Sequence, residues 1–157
     1  MTAMPTLEGG LRIDAEEDGD WEILRTIISD ANCCLIDLAS RLGECMSDEA
    51  VFEDWEELVV PDLRDSFQDE LAQIAASIEA AIFNSDNGPG PIWITRDDAW
   101  PWYSALNQAR LALEEVHHFG PEEKADPLKM KPIKRAAFIR SGFYSDIQSL
   151  LLLHVLK

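Results

Sequence analysis

The chain is poor in positive charge and in the residues that usually carry catalysis. Over 157 residues, 13 lysines and arginines stand against 30 aspartates and glutamates, a formal net charge of -17. So acidic a surface repels a phosphate backbone, which disfavours general nucleic-acid binding. The three histidines all lie in the last third, and there is no Gly-x-Ser-x-Gly, phosphate-binding loop, His-Glu-x-x-His or Cys-x-x-Cys. The common hydrolase, nucleotide and zinc signatures are therefore absent, and the expectation is a non-enzymatic protein without a cofactor. No run of about 18 apolar residues exists to span a membrane. The first twenty residues are acidic where a signal peptide would be basic and then apolar. Cys33, Cys34 and Cys45 are odd in number with two adjacent, which does not make a disulfide framework. A reducing cytoplasm is the expected setting.

What the chain does hold is 46% hydrophobic content, enough for one domain spanning residues 1–157 with a core of its own. Residues 1–10, with Pro5, Gly9 and Gly10, read as a loose terminus. Leu11-Arg12-Ile13-Asp14 alternates as a short strand. Asp20 is an N-cap candidate for a first helix whose stripe, Leu24, Ile27, Ile28, Ala31, Leu35, Leu38 and Leu42, runs unbroken to a C-cap at Gly43. A second helix begins near Ser47-Asp48-Glu49 and is interrupted by Pro61, which opens a third along Leu63, Phe67, Leu71, Ile74, Ile78 and Ile82. Residues 84–91 form a turn cluster. The β-branched and aromatic segment Ile92-Trp93-Ile94 is placed to pair with 11–13. Thr95 and Asp98 resemble a capping box for a fourth helix, with Ala99, Trp102, Tyr103, Leu106, Ala109, Leu113 and Val116 inward and a stop at Gly120-Pro121. After a proline-containing loop over 120–132, a last helix runs from Ile133 to Val155, with Gly142 a point of bending or division. The predicted architecture is an all-α bundle of four to five amphipathic helices with one short β pair, 11–13 with 92–94.

Few constellations carry chemistry. Glu114-x-x-His117, with His118, has the spacing that puts a carboxylate and an imidazole on one helix face, but a di-iron bundle needs a second such pair. Helical geometry points Cys33 away from the apolar stripe, as an exposed thiol whose neighbours Asp30 and Asp37 would raise its pKa; Cys45 is the other redox candidate. Asn107 and Arg110 sit three apart on the fourth helix. Arg110 is read either as a clamp to one of the thirty carboxylates on a neighbouring helix or as a ligand contact. Trp93, Trp100, Trp102 and Tyr103 cannot all be buried by one helix face, so at least one is expected at a surface. Basic residues concentrate late: 7 of the 13 follow residue 120, among them Lys134, Arg135 and Arg140. This 124–140 segment would dock an acidic protein partner or, less readily, DNA, while the acidic remainder would meet a basic protein, and the exposed aromatics are a candidate interface with a partner or a second copy of the chain.

Trp102-x-x-x-Leu106-Asn107-x-x-Arg110-Leu111-x-Leu113 resembles the signature of an actinobacterial-centred family of uncharacterised proteins, often encoded beside the adaptor ClpS and including oxidative-stress regulators of the AosR type. The closing Phe143-Tyr144-Ser145-Asp146-Ile147-Gln148-x-Leu150-Leu151 is similar too. The resemblance implies a helical cytoplasmic protein with a regulatory role. The redox branch of that family uses a Cys-x-x-x-Cys pair, which Cys33, Cys34 and Cys45 do not reproduce, so its disulfide switch does not transfer.

Overall fold

The computed structural model describes residues 1–33, 37–44, 48–83, 88–120 and 126–157. It is predominantly helical, as the periodicities predict, with one small antiparallel sheet of order β1-β2-β3. Strands β2 (Leu11–Asp14) and β3 (Ile92–Ile94) pair in the anticipated place, Leu11 opposite Ile94 and Ile13 opposite Ile92. All four of these side chains are buried, so one face of the sheet closes the core.

The amino-terminal segment is not loose. Thr2–Pro5 forms β1 and pairs along its whole length with β2. The turn between them is built from Gly9 at φ +82, the Thr6 N–H donating to the Gly10 carbonyl (2.9 Å) and the Gly10 N–H donating to Thr6 Oγ1 (2.9 Å). Gly9 supplies the left-handed residue that such a turn needs.

Helix α1 (Asp18–Ala31) buries Trp21, Leu24, Ile27 and Asp30, and its capping residue is Glu17, not Asp20, which instead reaches back from the third helical position to close a capping box with Glu17. The helix also ends earlier than its apolar stripe. Both the backbone N–H and the side-chain amide of Asn32 donate to the Ile28 carbonyl (3.2 and 2.8 Å), and α2 (Leu38–Gly43) restarts with the Asp37 carboxylate accepting the Ala39 N–H (3.1 Å). Local hydrogen bonds from Asn and Asp thus outcompete a continuous helix. Leu35, within the predicted stripe, lies outside the described residues.

Pro61 produces no break. Helix α3 (Glu49–Asp54), capped by Asp48, passes through a π-helical turn at Trp55–Val59 into α4 (Val60–Phe83). In an α-helix the proline ring would collide with the carbonyl four residues back. Here the Val60 N–H donates to Trp55, five residues back, and the widened turn accommodates the ring.

Helix α5 (Ala99–His117) has Asp98 and not Thr95 as its N-cap; in the turn ahead of it, Thr95 and Asp98 make reciprocal contacts, Thr95 N–H to Asp98 Oδ2 (3.3 Å) and Asp98 N–H to Thr95 Oγ1 (3.4 Å). It stops at His118, which takes the left-handed conformation (φ 48) two residues ahead of the predicted glycine stop. Within the 120–132 connection, Pro127–Lys129 makes a 3-10 turn. Helix α6 (Pro132–His154) starts on its proline and runs undivided through Gly142. Helix α5 lies against α1, α4 and α6 and presents Trp102, Ala105, Leu106, Ala109 and Leu113 to the shared core. Among the described residues no helix is long and apolar enough to cross a membrane.

Candidate functional site

Of the two tryptophans on α5, Trp102 is core at 1% exposure, whereas Trp100 is 61% exposed and meets Tyr103 edge-on at 5.7 Å. Along the same outer flank come Asn107 and Arg110, both half-buried. The expected carboxylate partner of Arg110 is replaced by an amide. Arg110 Nη1 donates to Gln148 Oε1 (2.6 Å), and Gln148 Nε2 donates to the Tyr103 carbonyl (3.1 Å), which turns the amide oxygen towards the guanidinium. Arg110 Nε is buried and has no acceptor among the described residues. On the opposite flank of α5, Glu70 of α4 accepts hydrogen bonds from Ser104 and Gln108, the latter at 3.1 Å.

Three side chains of the basic segment are engaged within the protein, while Lys129 and Lys131 are exposed. Arg140 does not project to a partner: its Nε and Nη2 form a two-point contact with Asp30 of α1 (2.7 and 2.9 Å), and the buried Tyr144 hydroxyl donates to the same carboxylate (2.7 Å). The Asp30 contact holds the Arg140 pKa above its usual value, and burial raises that of Tyr144. Arg135 donates to the carbonyls of Pro127 (2.7 Å), Leu128 (3.2 Å) and Met130 (3.1 Å), tying the 3-10 turn to α6. Lys134 Nζ donates to the His118 carbonyl at the end of α5 (3.0 Å). Sequence reasoning missed Asp30 as an anchor. The signal was its place at the end of the run Trp21, Leu24, Ile27, Asp30, a carboxylate in register with an apolar face.

The Glu114, His117 and His118 group does not converge. Glu114 accepts the Gly120 N–H (3.3 Å), His117 stacks on Phe119 (5.7 Å between centroids) and His118 is exposed. No group of three or more metal-ligating side chains exists among the described residues. Burial, reinforced by the charges of Arg140 and Lys134, pushes the His117 pKa down. Its unfolded counterpart takes up a proton near pH 6.5, so the unfolded state binds more protons as the pH falls through that value and stability declines. Urea titrations at pH 7.5 and 5.5 are expected to show a smaller loss for His117→Gln than for the unmodified protein; equal losses would remove this residue from the pH response. Cys33 is exposed, and Cys34 and Cys45 lie outside the described residues.

The acidic half of the molecule has one conspicuous feature. Residues 48–70 carry ten carboxylates and a single basic residue, Arg64, itself bound to Asp37 of α2 (Nε to Oδ2, 3.0 Å). Burial of Asp37 opposes its ionisation, but the Arg64 guanidinium and the Ala39 N–H outweigh that and hold its pKa low. Across this helical arm Val51, Leu58 and Val59 are exposed, and only Val60 is fully buried up to position 70. Helix α2 braces it: Trp55 Nε1 donates to the Ala39 carbonyl (3.1 Å), and the indole lies over Gly43, where a Cβ would come within 2.5 Å of Trp55 Cδ1. Gly43→Val is expected to displace that ring and cost about 1–3 kcal/mol, read as a lower urea midpoint with faster hydrogen exchange confined to 38–60; an unchanged exchange pattern would contradict the brace.

The chain belongs to the DUF2017 family, a domain of unknown function, whose family model matches residues 35–154. The matched stretch takes in the acidic arm, the Asn107 and Arg110 flank and the whole of α6. No curated protein and no solved structure matches the chain.

Proposed function

We propose that this DUF2017 protein is a non-enzymatic regulatory module that binds a basic segment of a partner protein along its acidic arm, residues 48–70. The observation that carries the reading is the composition of that arm: ten carboxylates against one arginine, with Val51, Leu58 and Val59 exposed among them. Carboxylates in such density accelerate encounter with a cationic partner and set its register, and the exposed aliphatic side chains supply area that charge alone does not. Resemblance to proteins encoded beside ClpS, some of them AosR-type oxidative-stress regulators, supports a regulatory role in the cytoplasm. The DNA-contact reading has less behind it, because Lys134, Arg135 and Arg140 are already hydrogen-bonded within the protein. A metal or disulfide switch has no assembled ligand set or cysteine pair among the described residues to support it.

The test is capture from native lysate with the tagged protein, with and without reductant, at low and high salt. A variant carrying Glu53→Gln, Asp54→Asn, Glu57→Gln and Asp62→Asn, all exposed positions, is run alongside, with Arg110→Ala as a control. Partners rich in lysine and arginine are expected, released by high salt and held roughly tenfold more weakly by the arm variant. Capture that ignores both salt and the four substitutions would rule the arm out as the binding surface.

A further inference from the structure

Apart from Arg96, which is exposed, Arg110 differs from the other arginines in how its charge is met. Arg12, Arg25, Arg41, Arg64 and Arg140 each pair with a carboxylate, and Arg135 is surrounded by three carbonyls. Arg110, in a chain with 30 carboxylates, is held among the described residues only by the neutral oxygen of Gln148, and its Nε is buried with no acceptor among them. An amide fixes a guanidinium in place without neutralising it. The arrangement is rigid on the protein side, since Gln148 is itself 3% exposed and anchored to the Tyr103 carbonyl.

Side chains on a helix tilt towards its N-terminus, so the guanidinium leans over the turn that carries Asn107. Among the described residues Asn107 makes no side-chain hydrogen bond, although it is half-buried. Apolar surface adjoins this polar pair: Trp100 and Tyr103 in edge contact one to two turns earlier on α5, and Leu152, 47% exposed, one turn beyond Gln148 on α6.

We infer that Asn107 and Arg110, framed by Gln148, form a binding site for the chain-terminal carboxylate of a peptide ending in an apolar residue. The carboxylate meets the guanidinium at Nη2, the nitrogen that neither Gln148 nor burial takes up, and the Asn107 amide donates to its second oxygen. The terminal side chain, attached to the same Cα as the carboxylate, lies against Tyr103 and Leu152. A cation fixed by a neutral partner is suited to this, because no internal carboxylate has to be displaced before the ligand enters. The site is independent of the acidic arm and responds oppositely to salt. The net charge of -17 repels an incoming anion at long range, and added salt screens that repulsion while leaving the short contact with Arg110 in place.

The experiment uses 15N-labelled full chain at pH 7, following the side-chain amides of Asn107 and Gln148 and the Nε–H of Arg110. N-acetylleucine, N-acetylleucinamide and the α-methylamide of N-acetylaspartate, whose α-carboxyl is blocked and whose side-chain carboxylate is free, are titrated in turn. N-acetylleucine is expected to move all three signals, with an affinity unchanged or higher at 150 mM salt than at 20 mM. The leucinamide is expected to bind at least tenfold more weakly. Arg110→Gln abolishes the response, and Asn107→Ala, a half-exposed change that does not touch the Gln148 contact, weakens it. Equal response to acid and amide, persistence in Arg110→Gln, or no shift up to the solubility of the ligand would each overturn the site. A stronger response to the aspartate derivative would overturn the choice of a chain terminus. Should Arg110→Gln fail to fold, the acid and amide pair on the unmodified protein still decides.

Discussion

Asp30→Ala is expected to lower the stability of the protein by about 3–5 kcal/mol. Asp30 is only 5% exposed and accepts from Arg140 Nε, Arg140 Nη2 and the Tyr144 hydroxyl. Its removal leaves the buried phenol with only the Thr26 hydroxyl (2.9 Å) in place of a carboxylate and a guanidinium, its side chain 25% exposed, facing an apolar hole. Arg140→Leu is expected to be comparably harmful for the converse reason, since the carboxylate then loses its counter-charge and keeps only Tyr144. The two changes made together lose less than the sum, because each single variant strands a charge that the double variant removes. Urea denaturation of the four proteins, with a common m-value, measures the coupling. Strict additivity would mean that the contact is incidental. Tyr144→Phe, which deletes one donor and leaves the ion pair, should cost roughly 1 kcal/mol.

That network shows why part of the molecule was legible in its sequence and part was not. The pairing of 11–13 with 92–94 could be read because Leu11, Ile13, Ile92 and Ile94 are apolar, alternate and are β-formers in three positions out of four. β1 could not, since Thr2-Ala3-Met4-Pro5 carries no such pattern and is held by backbone pairing and by the turn that Thr6 and Gly9 make. Helix periodicity located α5 and α6 well but overran α1, because the stripe continues through Leu38 while Asn32 and Asp37 spend their side chains on local hydrogen bonds that end one helix and begin another. Pro61 misled in the other direction: the rule that proline interrupts a helix assumes α geometry, and a single π turn satisfies it.

The candidate residues divide in the same way. Asn107 and Arg110 were visible as a pair on one helix flank, yet no pattern in the sequence indicates that a neutral glutamine 38 residues away, and not one of the carboxylates, would hold the arginine. Lys134, Arg135 and Arg140 read as part of a basic docking segment because the cations concentrate there. Each is instead matched to an acceptor on another element, and in the case of Arg140 the acceptor is 110 residues distant. Local spacing constrains which face a side chain occupies, whereas the identity of its partner is a property of the tertiary packing. Each internal ion pair takes up one carboxylate with its cation, so the excess of carboxylates, a net charge of -17, is left without cationic partners. Such a surface favours cationic partners over most of its area and leaves Arg110 as a local exception.

The sheet provides the second large effect, and it is set by a single missing side chain. At Gly10 a Cβ would stand 2.5 Å from the carbonyl oxygen of Ile94 on the neighbouring strand. A backbone oxygen cannot swing aside as a side chain does, so any substitution pushes the start of β2 away from β3 and draws Leu11 and Ile94, both at most 1% exposed, out of register with the core. Gly10→Ala is expected to cost about 2–3 kcal/mol, the upper part of the range for overpacking, and Gly10→Val more. Gly142 is the contrasting case. It lies inside α6, and a Cβ added there would meet nothing within 4 Å, so alanine gains helix propensity and should stabilise by about 0.5–1 kcal/mol. Thermal or urea midpoints of the two alanine variants should therefore move in opposite directions. If Gly10→Ala melts with the unmodified protein, β2 and β3 are not packed closely enough to fix the end of the core, and the sheet does not close it.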